Sequence, residues 1–206
     1  MNQPDKLFTD GAAYERMMGR WSRIAAEGFL DWLDVANNLR WLDVGCGNGA
    51  FTEELIARCA PAAVTAIDPS DDQLAYARTR PGVSMADFRV GDAQSLSLGD
   101  DTFDVAAMAL VISFIPDPHK AVAEMARVVR PAGWVAAYMW DTLGGGSPVN
   151  PIYLALESMG VTSTRPLNPA ASGREAMQNL WEGVGLEGVE MRVIRVRTVY
   201  SDFDDF

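Results

Sequence analysis

Leu42-Asp43-Val44-Gly45-Cys46-Gly47-Asn48-Gly49 is a short apolar run that breaks into three alternate glycines. The stretch behind it, Phe51 to Cys59, has helical periodicity. Glycine lets a backbone turn tightly and approach a ligand closely. A helix opening behind such a turn presents free N–H groups to whatever sits there. Glycines in this pattern also make ordinary tight turns, so the context decides. Asp68 closes the next strand-like run, Ala63 to Ile67, and stands 19 residues after Gly49. An acid about 20 residues beyond such a loop is where a ribose hydroxyl is held. The alternative for Asp68-Pro69-Ser70 is a turn that caps a helix.

Working outward, strand-like and helical stretches alternate. Asp71 to Arg80 reads as helix with acids in its first turn, where the helix dipole favours them. Phe88 to Val90 is a short strand, Phe103 to Ile112 a buried strand, His119 to Val129 a helix led by Pro118, and Trp134 to Trp140 a fifth strand. This alternation predicts a parallel sheet covered by helices on both faces, with ligands beyond the carboxyl ends of its strands. Upstream, Tyr14, Met17, Met18, Trp21, Ile24 and Ala25 recur at three and four, and Phe29 to Leu33 forms a second amphipathic stretch. Downstream, Gly144 to Gly146 and Pro148 to Pro151 predict a loop, then a short helix over Ile152 to Met159 and a loop over Thr162 to Pro169. Ser172-Gly173-Arg174-Glu175 has the spacing of a capping box and opens a helix to Gly183. Val189 to Tyr200 reads as a sixth strand whose alternation slips at Val193-Ile194, predicting a bulge or twist.

Composition removes several classes of function. The chain has 206 residues, 49% of them hydrophobic and 22% charged, which is one globular domain rather than disorder. Cys46 and Cys59 are too few for a disulfide framework, so a reducing, cytoplasmic setting is expected. The opening MNQPDKLFTD lacks the basic and apolar parts of a signal peptide. The longest apolar run, Val105 to Ile115, falls short of the about 20 residues that span a bilayer. A net charge of −11 repels a phosphate backbone, so nucleic acid is not the expected partner. One histidine and two separated cysteines leave no zinc site, and no metal is expected.

Five stretches taken together carry a family resemblance: LDVGCGNG (42–49), AIDPSDDQLAYAR (66–78), VGDAQSL (90–96), FDVAAMALVISFIPDP (103–118) and EMARVVRPAGWVAAYMWD (124–141). In this order the chain resembles class I S-adenosylmethionine-dependent methyltransferases of the type 11 kind. It looks most like small-molecule enzymes related to the quinone-biosynthesis C-methyltransferases. The resemblance runs from about residue 10 to residue 200. It implies a Rossmann-like, doubly wound α/β fold with a mostly parallel sheet, and S-adenosylmethionine as cofactor. It also implies one domain over 1–206: a helical cap at 1–38, a cofactor-binding core at 39–141 and a substrate-side segment at 142–206. The cofactor set carried over is Asp43, Gly45, Cys46, Gly47, Asn48 and Gly49 for the methionine part, and Asp68, Pro69 and Ser70 for the ribose. Asp92 and Ala93 would take the adenine, and Leu110 and Val111 would flank the methionine. Tyr14 and Arg20 would close over the cofactor. Trp21, Ser113, Phe114, Trp140 and Asp141 would face the acceptor, with ordinary packing the alternative for the last two. No residue is singled out as a catalytic acid or base.

The sequence departs from that family in three places. Ala132 stands in Arg130-Pro131-Ala132-Gly133 where the family has glycine, which implies some backbone strain. Asn48 replaces a commoner Thr or Ser. The family's last, antiparallel strand has no counterpart, so the chain reads as truncated, with an unpaired edge at the fifth strand that a second copy could cover. The rival reading is a nicotinamide-dependent oxidoreductase, since Gly45, Gly47 and Ala50 fit the relaxed glycine pattern. A third is a cofactor-binding domain without activity. Other features read as structural: His119 as a solvated first-turn residue, Cys46 as a small packed side chain, and Met17, Met18, Met108 and Met125 as core. Glu53-Glu54, Asp71-Asp72 and the closing Asp202, Asp204 and Asp205 read as solvated faces.

Overall fold

A computed structural model describes residues 11–161 and 166–202; side chains of 11–14 lie outside the described set. The two amphipathic stretches at the start form one helix, α1 (Gly11–Leu33), which ends as Asp34 turns to φ 42°. Met18, Ala25, Ala26, Phe29 and Leu30 are its buried face. Met17 is not core as expected: it is 58% exposed, because neighbours on a helix point about 100° apart and Met18 takes the inward position.

Then follow β1 (Arg40–Val44), α2 (Ala50–Cys59), β2 (Ala63–Asp68), α3 (Asp71–Ala77), β3 (Ala86–Val90), β4 (Phe103–Ala109), α4 (Pro118–Val128), β5 (Val129–Tyr138), α5 (Asn150–Ser158) and α6 (Arg174–Gly183). The sheet runs β3-β2-β1-β4-β5, and every pairing is parallel. β1 and β4 are buried on both faces, as strands under two helical layers must be. Trp41, Val64, Val105 and Ala107 pack on α1 and α2, while Leu42, Val44, Ala106 and Met108 pack on α4 and α6. A ring trio ties the first layer together: the Phe29 centroid lies 4.7 Å from Tyr138 and 6.0 Å from Phe51. Among the described residues no helix is long and apolar enough to cross a membrane.

Several boundaries differ from the sequence expectation. α3 stops at Ala77, and Thr79 and Arg80 close turns onto Tyr76 and Ala77. β4 stops at Ala109, because Leu110 turns to φ 62° and Ile112–Phe114 coil into a 3-10 turn. β5 begins at Val129, not Trp134. Its register jumps from Phe103↔Val129 to Val105↔Trp134, so Arg130 to Gly133 bulge out opposite Asp104. The Asp104 carboxylate holds this bulge, pairing with Arg130 Nε at 2.7 Å and accepting from the Arg40 N–H at 2.7 Å. Ala132 in the bulge has φ 63°, a conformation costly to any residue with a Cβ. Ala132→Gly is therefore expected to stabilise the chain by about 0.5–1 kcal/mol, the relief of strain less the entropy of an added glycine. A lower urea midpoint for that variant would contradict this.

The capping box is not formed. Gly173 is the N-cap of α6, and the Ser172 hydroxyl instead donates to the Pro169 carbonyl at 2.7 Å inside a 3-10 turn. Nor is Val189 to Tyr200 a strand: no ladder joins it to β5 among the described residues, so the sheet has five strands rather than six. The expected phase slip is present. Val189 and Met191 pack on the α4–α6 face and Ile194 on the α1–α2 face, so the segment rolls around the β5 edge. That course suits side-chain packing and does not hold a hydrogen-bond register. Residues 162–165 of the expected loop, and Asp204 and Asp205, lie outside the described residues.

Candidate active site

The glycine loop sits where β1, β2 and β4 end together. Its entry is pinned by two amides, Gly45 N–H and Cys46 N–H, which donate to the Ile67 carbonyl at 2.8 and 2.9 Å. Gly45 has φ 74°, and a Cβ there would lie 2.7 Å from Val111 Cγ1. The loop is thus pressed against the end of β4. Gly49, φ 78°, is the N-cap of α2, and the Asn48 side chain accepts from the Ala50 N–H at 3.2 Å.

Two carboxylates flank the loop. Asp68 Oδ2 accepts from the Gly47 N–H at 2.9 Å, and Asp68 Oδ1 accepts from the Ser70 N–H at 2.9 Å. The capping alternative for this stretch is also met, since Ser70 Oγ accepts from the Gln73 N–H at 3.3 Å. Each Asp68 oxygen keeps a lone pair beyond these bonds. Burial raises its pKa, with the two backbone bonds opposing. Asp43 is fully buried in β1; its Oδ2 accepts the Thr52 hydroxyl at 2.6 Å, and its Oδ1 has no protein partner. Burial pushes its pKa up to about 7, with the Thr52 bond opposing and the Asp68 charge adding to the rise. Cys46 is buried, and desolvation beside Asp43 and Asp68 pushes its thiol up, which leaves it an inert packing group.

Other predicted residues fall around this centre. Asp92 lies two residues past β3 and is exposed; its Oδ1 accepts from the Gln94 N–H at 2.9 Å. Ala93, half-buried, follows it. Leu110 holds a left-handed turn and its N–H donates to the Tyr138 carbonyl at 2.9 Å. Such a conformation on a bulky residue is stored strain at a strand end. Ser113 is wholly buried with no partner for its hydroxyl, and half-buried Phe114 follows it. β5 ends at Tyr138 rather than at Trp140 as expected, so Trp140 and Asp141 lie just past it, and the Asp141 carboxylate accepts from the Gly144 N–H at 2.8 Å, shaping a turn. Arg20 and Trp21 both meet Tyr200: the guanidinium lies 4.8 Å from the Tyr200 centroid and the Trp21 ring 6.4 Å from it. The Tyr14 side chain lies outside the described residues. His119 is exposed, and among the described residues no group of three or more His, Cys, Asp or Glu is gathered for a metal.

Sequence reading missed Thr52, Glu15 and Arg80. Glu53 and Glu54 are not solvated faces: Glu53 pairs with Arg80 at 2.8 Å and Glu54 with Arg23 at 3.2 Å, because α1 packs against α2 and the turn after α3 brings Arg80 onto it. The periodicity placed those acids on an outer face and carried no trace of the basic residues that cover it.

Fold and site together are those of an α/β domain whose glycine loop and two acids gather at the β1 and β2 ends. Residues 42–137 match the family described as "Methyltransferase domain". By this match the chain carries a methyltransferase domain over 96 of its 206 residues. It is 34% identical over 116 residues to 2-methyl-6-phytyl-1,4-hydroquinone methyltransferase 2 of Oryza sativa subsp. japonica, covering 56% of this chain and 33% of that one. It is 32% identical over 155 residues to the demethylmenaquinone methyltransferase of Renibacterium salmoninarum, covering 74% and 62%. The chain thus spans less than two thirds of either relative. A solved S-adenosylmethionine-dependent methyltransferase from Aquifex aeolicus shares the fold, with a TM-score of 0.57, 23% identity, and coverage of 76% of this chain and 90% of that one. The nicotinamide alternative finds no support in these relatives.

Proposed function

We propose that this chain binds S-adenosylmethionine over Gly45 to Gly49 and transfers its methyl group to a small-molecule acceptor. The observation that carries the reading is Asp68, fixed by two backbone N–H groups at the end of β2 beside the glycine loop. Its remaining lone pairs suit two ribose hydroxyls. The unpartnered, buried Asp43 Oδ1 suits a ligand that brings a hydrogen-bond donor or positive charge to it rather than an anionic one. Pro69 and Ser70 would lie along the ribose, Asp92 and Ala93 at the adenine, and Leu110 and Val111 at the methionine. Tyr14 and Arg20 would cover them. Trp21, Ser113, Phe114, Trp140 and Asp141 would line the acceptor side.

The bound cofactor supplies a methyl group on a sulfonium, whose leaving group is already activated. The chain then has to align the acceptor and exclude water, work that can supply several kcal/mol of barrier reduction. In this reading residues 1–38 cap the site, 39–141 hold the cofactor and 142–206 face the acceptor. The two free, buried cysteines support a reducing, cytoplasmic compartment, and the −11 charge disfavours nucleic acid. The unpaired β5 edge is where a second copy would dock.

Asp68→Ala should weaken binding of S-adenosylhomocysteine by about 1–3 kcal/mol in a calorimetric titration, the scale of hydrogen bonds to a charged group. NADH should not bind. Unchanged affinity in the variant would overturn the site, and absence of turnover on a panel of small acceptors would favour a domain without activity.

A further inference from the structure

Arg80 lies just past α3 and its side chain is only 8% exposed, although it touches none of the residues assigned to the cofactor except through backbone. Its guanidinium spends each edge on a different element. Nε donates to the Asn48 carbonyl in the glycine loop at 2.6 Å. One terminal nitrogen pairs with Glu53 in the first turn of α2 at 2.8 Å, and the other pairs with Glu15 of α1. The stem also packs on the loop, with Cδ 3.5 Å from where a Cβ on Gly49 would stand. Only a planar fork of five donors serves three acceptors in one plane; a lysine ammonium does not.

Glu15 is the other half of the arrangement. Its Oε2 also accepts from the Asn48 side-chain amide at 3.2 Å, and Oε1 lies 3.9 Å from Arg23. Gly19, one turn on, leaves this carboxylate its space: a Cβ there would come within 2.5 Å of Oε1. Glycine inside a helix is otherwise unfavourable by about 1 kcal/mol relative to alanine. Asn48 is therefore gripped through its carbonyl from the turn after α3 and through its amide from α1.

We propose that Arg80 is a positioning residue that sets the glycine loop, and that Glu15 and Arg80 form a latch through which cofactor occupancy tightens the amino-terminal half of α1. The inference rests on the cofactor reading above and adds to it the residues that transmit binding. The test uses the full chain, with S-adenosylhomocysteine as the probe. Calorimetry gives affinity, and hydrogen exchange gives protection of residues 15–25 with and without the probe. In the unaltered chain the probe should slow exchange over 15–25 at least tenfold. Glu15→Ala, which keeps helix propensity, and Arg80→Lys should each bind the probe 3–10-fold more weakly and lose that slowing. Probe binding that leaves exchange over 15–25 unchanged in the unaltered chain overturns the latch and leaves the cofactor reading intact. So do variants that are merely less stable but keep full affinity and full slowing. No binding to the unaltered chain overturns both.

Discussion

Raising the pH from about 4 to about 8 is expected to weaken the ligand-free chain through one carboxyl group, Asp43. Its pKa is pushed from 3.8 up to about 7 by burial in the centre of the sheet. Across that window the folded chain holds a proton that the unfolded chain has released. Unfolding therefore sheds a proton and is favoured as pH rises, until the folded group itself ionises near pH 7. At 1.36 kcal/mol per unit the loss is about 4 kcal/mol. Asp68, also raised by burial, adds in the same direction. Glu124 opposes it, since its hydrogen bond from Arg127 lowers its pKa and contributes stability that disappears as pH falls. Asp43→Asn isolates the effect: urea midpoints measured from pH 5 to 8 should fall more steeply in the parent than in the variant. Parallel slopes would show that Asp43 stays ionised in the folded chain.

Gly49→Ala should cost roughly 2–5 kcal/mol of stability. The left-handed φ of 78° costs a residue with a Cβ about 1–2 kcal/mol. The new methyl would also stand 2.9 Å from Ala77 Cβ and 3.2 Å from its Cα. That contact with α3 adds roughly 1–3 kcal/mol of overpacking. Gly47 provides the control. Its φ of 51° is equally left-handed, but nothing lies within 4 Å of a Cβ there. Gly47→Ala should lose only the backbone share. Equal losses in urea unfolding would show that the contact of Gly49 with Ala77 carries no weight.

Much of the fold was legible because its signals are local. β1, β2 and β4 announce themselves as short apolar runs, and the glycines and Asp68 mark strand ends by type and spacing alone. What was not legible depends on partners distant in sequence. Glu53 looks solvated until Arg80 arrives from 27 residues away. Asp43 looks like one loop acid among several until the two strands beside β1 and the helices over them strip it of water. Val189 to Tyr200 has the alternation of a strand, but a strand needs a neighbour in register, and alternation does not say whether one exists. The Ser172 capping box failed for a local reason: the Pro169 carbonyl lay within reach of the same hydroxyl.

The strand order also sets a timetable for the emerging chain. β1 meets β2 through contacts such as Arg40↔Ala63, but meets β4 only through contacts such as Trp41↔Val105, 64 residues apart. Closing the longer loop costs about 0.9 kcal/mol more chain entropy than closing the shorter. During synthesis the β1–β2–β3 half, with the glycine loop and Asp68, leaves the ribosome while the other flank of β1 is still bare. The cofactor-holding elements therefore come off the ribosome first, and Trp41 and Leu42 wait for β4 to shield them. The interval between those two events is when this chain most needs a chaperone.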